Sequence, residues 1–312
     1  MKNEKTFKSG LRIVEQLERL GKWKEAKKEY TKFLADSEYK MLAQEALARL
    51  EEKERIYQKV NSIYKERLGA KSYIGEDDFL CLSKDNISIH FHIKNQNLDL
   101  TQLFRIIKRA EAKIEESLGY KPEKVVIEIM NTQDELKGRA REREGLKLRS
   151  WVGGMQADVI RVNAESLASS EPQNLAVFLT HEYVHLAVYE MTKGNAPWWL
   201  SEGLAIYFSQ NLSDEYLEIL AKAAAKNKTL DLEILGRDPS ELADDRLRKL
   251  AYAQAGSVSE YLISKLGWDK IKDLLTSLRK KSLSDALAKY GLNLYLIQRE
   301  WQRWFQVKES VS

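Results

Sequence analysis

The chain is predicted to adopt an α+β fold dominated by helices, and three observations carry that expectation. Short runs rich in Val, Ile and Phe, separated by turn residues, are confined to residues 79–162, while helical apolar periodicity fills most of the remainder. The four prolines fall outside the interiors of the helical patterns, where a missing N–H and a rigid ring are tolerated. A nearly continuous apolar segment, Leu175 to Val188, is long enough for a buried helix and too short to span a bilayer.

Taken in order, residues 1–70 are charged, helical in pattern and free of proline. Trp23, Tyr30 and Leu34 form an apolar stripe, and the small Ala26 lets neighbouring helices approach. The stretch from Leu20 through Trp23 and Ala26 to Leu34 resembles the second half of a tetratricopeptide repeat. One partial unit falls short of the roughly three repeats a solenoid needs, so a short helical appendage is expected, with a protein partner docking there as its implied role. Residues Ile56 to Leu68 continue as helix and Gly69 closes it.

Residues 71–312 are expected to form the second domain, starting with a sheet lobe over 71–170. Phe79 to Leu82 and Ile87 to Ile93 read as strands around a turn at Ser83-Lys84-Asp85-Asn86. A helix is expected over about Leu100 to Leu118, then a strand at Val125 to Ile129 after Pro122. His90 and His92 alternate on one strand and could form a metal pair. The preferred arrangement puts Ile87, Ile89, Phe91 and Ile93 on the core face and leaves the two histidines solvated or hydrogen-bonded. Residues 211–312 are expected to be almost wholly helical. One helix starts at Ser213-Asp214, another is led into by Tyr252 and ends before Gly267, and a third opens on a Ser282/Asp285 capping box. Trp301, Trp304 and Phe305 give the last an apolar face.

Between these parts, at 171–210, lies the most informative motif, His181-Glu182-Tyr183-Val184-His185. Histidines four apart on a helix are separated by about 40° around its axis, so both imidazoles reach a single metal ion, and Glu182 beside them is free to handle a proton. An apolar helix should not carry unpaired His and Glu, because burying them costs several kcal/mol that a bound cation would offset. The helix is bounded by Pro172 and by Lys193-Gly194, and Pro197 opens a second helix through Trp198 to Phe208 that runs back antiparallel. Its one strongly polar internal residue, Glu202, is separated from His185 by sixteen residues and returns to the height of the histidines, making it the candidate third ligand of one zinc ion with the fourth position left for water.

At these residues the chain resembles the gluzincin metallopeptidases, whose H-E-x-x-H is followed on the next helix by a ligand glutamate in a setting like Trp199-Leu200-Ser201-Glu202-Gly203-Leu204-Ala205. It looks most like their bacterial peptidase MA-like branch, over roughly residues 75–305. The resemblance implies a zincin-like fold and zinc-dependent hydrolysis of a peptide or protein substrate. His181, His185 and Glu202 would be the ligands, Glu182 the general acid–base, and Tyr252, in Ala251-Tyr252-Ala253-Gln254-Ala255-Gly256, the donor to the oxyanion. Gln254 stands where many relatives have lysine. It also implies a rim strand before the first metal helix, met by Trp151 to Val162. Within it Gly153-Gly154-Met155-Gln156 is similar to the element with which gluzincin aminopeptidases grip a free amino terminus. Gln156 lacks the carboxylate for a charged amine, which favours cleavage within exposed or unfolded peptides. The alternative is a catalytically inactive protein of the same fold that holds partners through its N-terminal helices.

Composition narrows the remaining classes. With 51 basic and 47 acidic residues the net charge of +4 makes no electrostatic case for nucleic acid. The basic run from Lys137 to Arg149 reads as a solvated loop. Cys81, the single cysteine, excludes an intramolecular disulfide and leaves zinc to His and carboxylate. No apolar leader and no span of 18 apolar residues is visible, so a cytoplasmic location is expected.

Overall fold

The structure, a computed structural model, describes residues 2–74, 78–131, 159–236 and 244–311. These fall into two compact units, one built from residues up to 102 with 124–131 and 161–169, the other from 103–123, 159–160 and everything described from 170 onward.

The first unit opens with helices α1 (Lys2–Arg19), α2 (Trp23–Thr31) and α3 (Lys40–Leu68). Trp23, Ala26 and Tyr30 are buried, as the apolar stripe requires, and α1 and α2 pack together. The 29-residue α3 ends at Gly69, whose left-handed φ of 64° lets its N–H close on Lys65 O. Two tyrosines tie α3 to later segments of the same unit: Tyr57 Oη donates to Ser72 O at 3.0 Å, and Tyr64 Oη donates to Leu98 O at 2.8 Å.

The chain then forms a five-stranded sheet in the order β1-β2-β3-β4-β5, from β1 (Lys71–Ile74), β2 (Phe79–Lys84), β3 (Ile87–His92), β4 (Val125–Met130) and β5 (Val159–Asn163). The sequence pattern missed β1, whose four residues carry no apolar alternation. Lys84 pairs with Ile87, so the β2–β3 hairpin turns on two residues, with Asp85 at φ 53°. β3 and β4 are parallel, with Ile89 opposite Ile127. Ile87, Ile89 and Phe91 are buried as expected, but Ile93 lies in a short 3-10 turn beyond the strand and is only half-buried. His92 Nδ1 accepts from Lys94 N at 3.1 Å, whereas His90 departs from expectation, because among the described residues its buried Nε2 has no partner. His90 sits opposite Cys81 and Glu128, and all five residues of β5 are buried, Arg161 included, which donates to Glu128 at 3.2 Å. The short α5 (Ala164–Ser169) opens where Asn163 Oδ1 accepts from Glu165 N at 2.7 Å.

Most of α4 (Thr101–Leu118) belongs to the second unit, with α6 (Pro172–Thr192), α7 (Trp198–Ser209), α8 (Asp214–Ala225), α9 (Asp245–Leu266), α10 (Trp268–Ser277), α11 (Leu283–Ala288) and α12 (Leu294–Val311). Its core gathers Leu179, Tyr183, Trp199, Leu204, Leu262 and Trp301, and the Trp301 indole donates to Ser257 Oγ at 2.9 Å. Ser282 Oγ accepts from Asp285 N at 3.1 Å, the expected cap of α11. α9 starts earlier than expected. Asp244 accepts from Arg246 N as its N-cap, so Tyr252 stands two turns inside the helix rather than ahead of it. Among the described residues no helix is long and apolar enough to cross a membrane. The chain is thus helix-dominated α+β, of the zincin kind.

Candidate metal centre

Two consecutive helices of the second unit build the site. Pro172 starts α6 at a position that needs no N–H, and Lys193 and Gly194 end it in left-handed conformations, φ 57° and 78°. The turn is pinned by Asn195 Nδ2 donating to Leu278 O at 3.1 Å, and extended Pro197 then launches α7 back along α6. Leu179, Val184, Leu186 and Val188 are buried on α6, and Trp199, Leu200, Leu204 and Ala205 on α7. Contacts made nearly all round each helix leave little freedom to the polar residues between them.

Those polar residues converge. His181 Nε2 lies 3.0 Å from Glu202 Oε1, His185 Nε2 lies 3.4 Å from Glu202 Oε2, and the two Nε2 atoms are 3.1 Å apart. The rings meet nearly edge to face, 83° between planes. Burial by itself would raise the Glu202 carboxyl, but hydrogen bonds with His181 and His185 outweigh it and hold the group down at about 2. Burial pushes the Glu182 carboxyl up to about 7, with His181 pulling it down and Glu202 adding to the rise. Tetrahedral zinc with ligands at 2.0–2.1 Å sets neighbouring ligand atoms about 3.3–3.4 Å apart. The His185–Glu202 separation matches that edge and the other two are shorter, so the three side chains lie close enough to share one ion, and two imidazoles with one carboxylate are a donor set zinc accepts. Among the described residues this is the one group of three His, Cys, Asp or Glu side chains close enough to share an ion.

A third helix fixes how deep α7 sits. Gly203, next to Glu202, faces α9 so closely that a methyl there would lie 2.8 Å from the Ala255 carbonyl carbon, and nearer still to its oxygen and to Ser259 Oγ. Reciprocally, a methyl on Gly256 would come within 2.8 Å of Ile206. The same face of α9 carries Tyr252, half-buried, whose ring packs edge-on against Trp198 at 5.1 Å between centroids. Trp198 is one turn before Glu202, which puts Tyr252 on the side of α7 that bears the cluster.

Two contributors carried no signal in the sequence. Ser201 Oγ is 2.9 Å from His185 Nδ1, a partnership across the inter-helix turn. Gln254, fully buried, grips the backbone of Leu230 with both ends of its amide: Oε1 accepts from Leu230 N at 2.8 Å and Nε2 donates to Leu230 O at 2.6 Å. Gln254 therefore anchors the segment after α8. Gly153, Gly154, Met155 and Gln156, and the basic run from 137 to 149, lie outside the described residues.

A helix-dominated α+β fold with two antiparallel helices presenting two histidines and a glutamate defines a zincin-like protein whose cluster could hold a metal. Residues 107–307 match the family model described as the Peptidase MA superfamily, and the chain belongs to that superfamily. No curated protein matches it.

Proposed function

We propose that this protein is a zinc-dependent peptidase that cleaves within exposed or unfolded peptides. The observation that carries it is the convergence of His181, His185 and Glu202 closely enough to share one ion, beside a buried Glu182. Zinc held there would supply a polarised, acidified water and a Lewis acid toward the scissile carbonyl. Glu182 takes the proton of the attacking water and passes a proton to the leaving nitrogen, help worth about a hundred- to ten-thousand-fold. Tyr252 donates to the oxyanion from α9, and its hydroxyl strengthens that bond only as charge develops.

Cleavage of a peptide library with blocked amino termini, by wild type and Glu182→Gln, tests the proposal. Wild type should cleave, and the variant should keep its zinc and lose the activity. Equal turnover by both removes Glu182 from the mechanism. Absence of both zinc and cleavage in wild type favours the inactive binding protein instead. For the N-terminal helices, partner docking rests on their resemblance to half a tetratricopeptide repeat, and Leu20 and Met41 are exposed there for substitution. Charged substitutions there should release a co-purifying partner without changing peptide cleavage.

A further inference from the structure

The two histidines of the cluster are held differently. His185 has partners at both ring nitrogens: Nε2 faces Glu202 and His181, and Nδ1 meets Ser201 Oγ at 2.9 Å. Among the described residues His181 has partners at Nε2 alone, its Nδ1 being buried without one. A histidine can offer the Nε2 lone pair to a cation only if its remaining proton is on Nδ1, and an acceptor at Nδ1 favours that tautomer. Ser201 Oγ is placed to accept from His185 Nδ1 in that tautomer. For His181 the same tautomer leaves a buried N–H unpaired, a burden of about 1–3 kcal/mol.

We infer that Ser201 is the positioning residue of this centre, holding His185 in its metal-ready tautomer and orientation. Ser201 directly precedes Glu202, so one turn of α7 carries both a ligand and the group that aims another ligand. The turn pinned at Asn195 sets the height of α7 against α6, and with it both functions together. The inference rests on the metal-site reading above and adds to it an ordering of the ligands. His185, braced by Ser201, contributes more to retention of the ion than His181.

The test compares zinc affinity, by competition with a chromogenic chelator, and the visible spectrum of the cobalt-loaded protein, across wild type, Ser201→Ala, Ser201→Thr and His185→Ala. Ser201→Ala should weaken zinc about 10- to 100-fold and alter the cobalt spectrum, as loss of an outer partner of a metal-bound histidine does. Metal-free melting should fall only slightly, because the helix propensity of alanine offsets part of the cost of the lost Nδ1 partner. Ser201→Thr, which keeps the hydroxyl, should restore affinity to within about threefold of wild type, well inside the loss assigned to the missing partner. Unchanged zinc affinity in Ser201→Ala, with His185→Ala strongly impaired, overturns the role of Ser201 while the metal site stands. Wild-type affinity no better than that of His185→Ala overturns both.

Discussion

Replacing Gly203 with alanine tests whether helix packing, rather than the ligands themselves, sets the geometry of the cluster. Local propensity and tertiary packing predict opposite signs here. In an exposed helix interior Gly→Ala should stabilise by about 1 kcal/mol. In this structure the new methyl would meet the Ala255 carbonyl carbon at 2.8 Å, with the carbonyl oxygen and Ser259 Oγ closer still. Ordinary carbon contacts begin near 3.5–4.0 Å, so α7 and α9 must separate by about 1 Å. Ser259 Oγ could rotate away, but the Ala255 carbonyl is helix backbone and cannot. Overpacking of this kind costs about 1–3 kcal/mol and occasionally more, and the high end applies because three atoms clash at once. About 3 kcal/mol lowers Tm by roughly 6–12 °C for a unit of this size. The same displacement moves Glu202 relative to His181 and His185, so zinc affinity should fall with stability. Differential scanning fluorimetry with and without zinc reads both. A Gly203→Ala protein that melts at or above the wild-type temperature and binds zinc equally would refute the close approach of α7 and α9.

Other changes separate the parts of the site. Glu202→Ala should abolish stoichiometric zinc, measured by elemental analysis, because two imidazoles remain where zinc takes three protein ligands. Tyr252→Phe should retain zinc and lower kcat by roughly 10²–10³ with little change in KM, the pattern of a lost oxyanion donor. Gln254→Leu should destabilise by about 1–3 kcal/mol, since Leu230 N loses its amide partner while Leu230 O keeps the Gln298 Nε2 donor at 3.2 Å; unchanged denaturant midpoints would discount the clamp. In the first unit, burial works to raise the Asp78 carboxyl, but the hydrogen bond from Lys53 outweighs it and the group sits below its ordinary value of 3.8. A carboxyl lowered in the folded state contributes stability that is present above its unfolded pKa and lost as pH falls through the folded one. Asp78→Asn should therefore flatten the acid limb of the stability profile below about pH 4, by under about 1 kcal/mol because the side chain is half exposed.

The bounds of α6 and α7 were legible because their ends are chemical: Pro172, Lys193-Gly194 and Pro197 act locally, whatever the rest of the chain does. The strands β2, β3 and β4 were legible through Val, Ile and Phe. β1 was not, since Lys71–Ile74 becomes a strand only by pairing Tyr73 with Cys81 and Ile74 with Leu80. The start of α9 was misplaced, because the cap that opens the helix is Asp244, two turns ahead of Tyr252. Which residues are chemically able to form a metal centre, and which two helices carry them, could be read from the chain, because ligand type and four-residue spacing are local properties. Three features could be read only from the folded protein: Gly203 and Gly256 let α7 and α9 close, Ser201 meets His185 Nδ1, and Gln254 belongs to Leu230. Each of these depends on distances between segments that are apart in sequence, and no local pattern encodes such a distance.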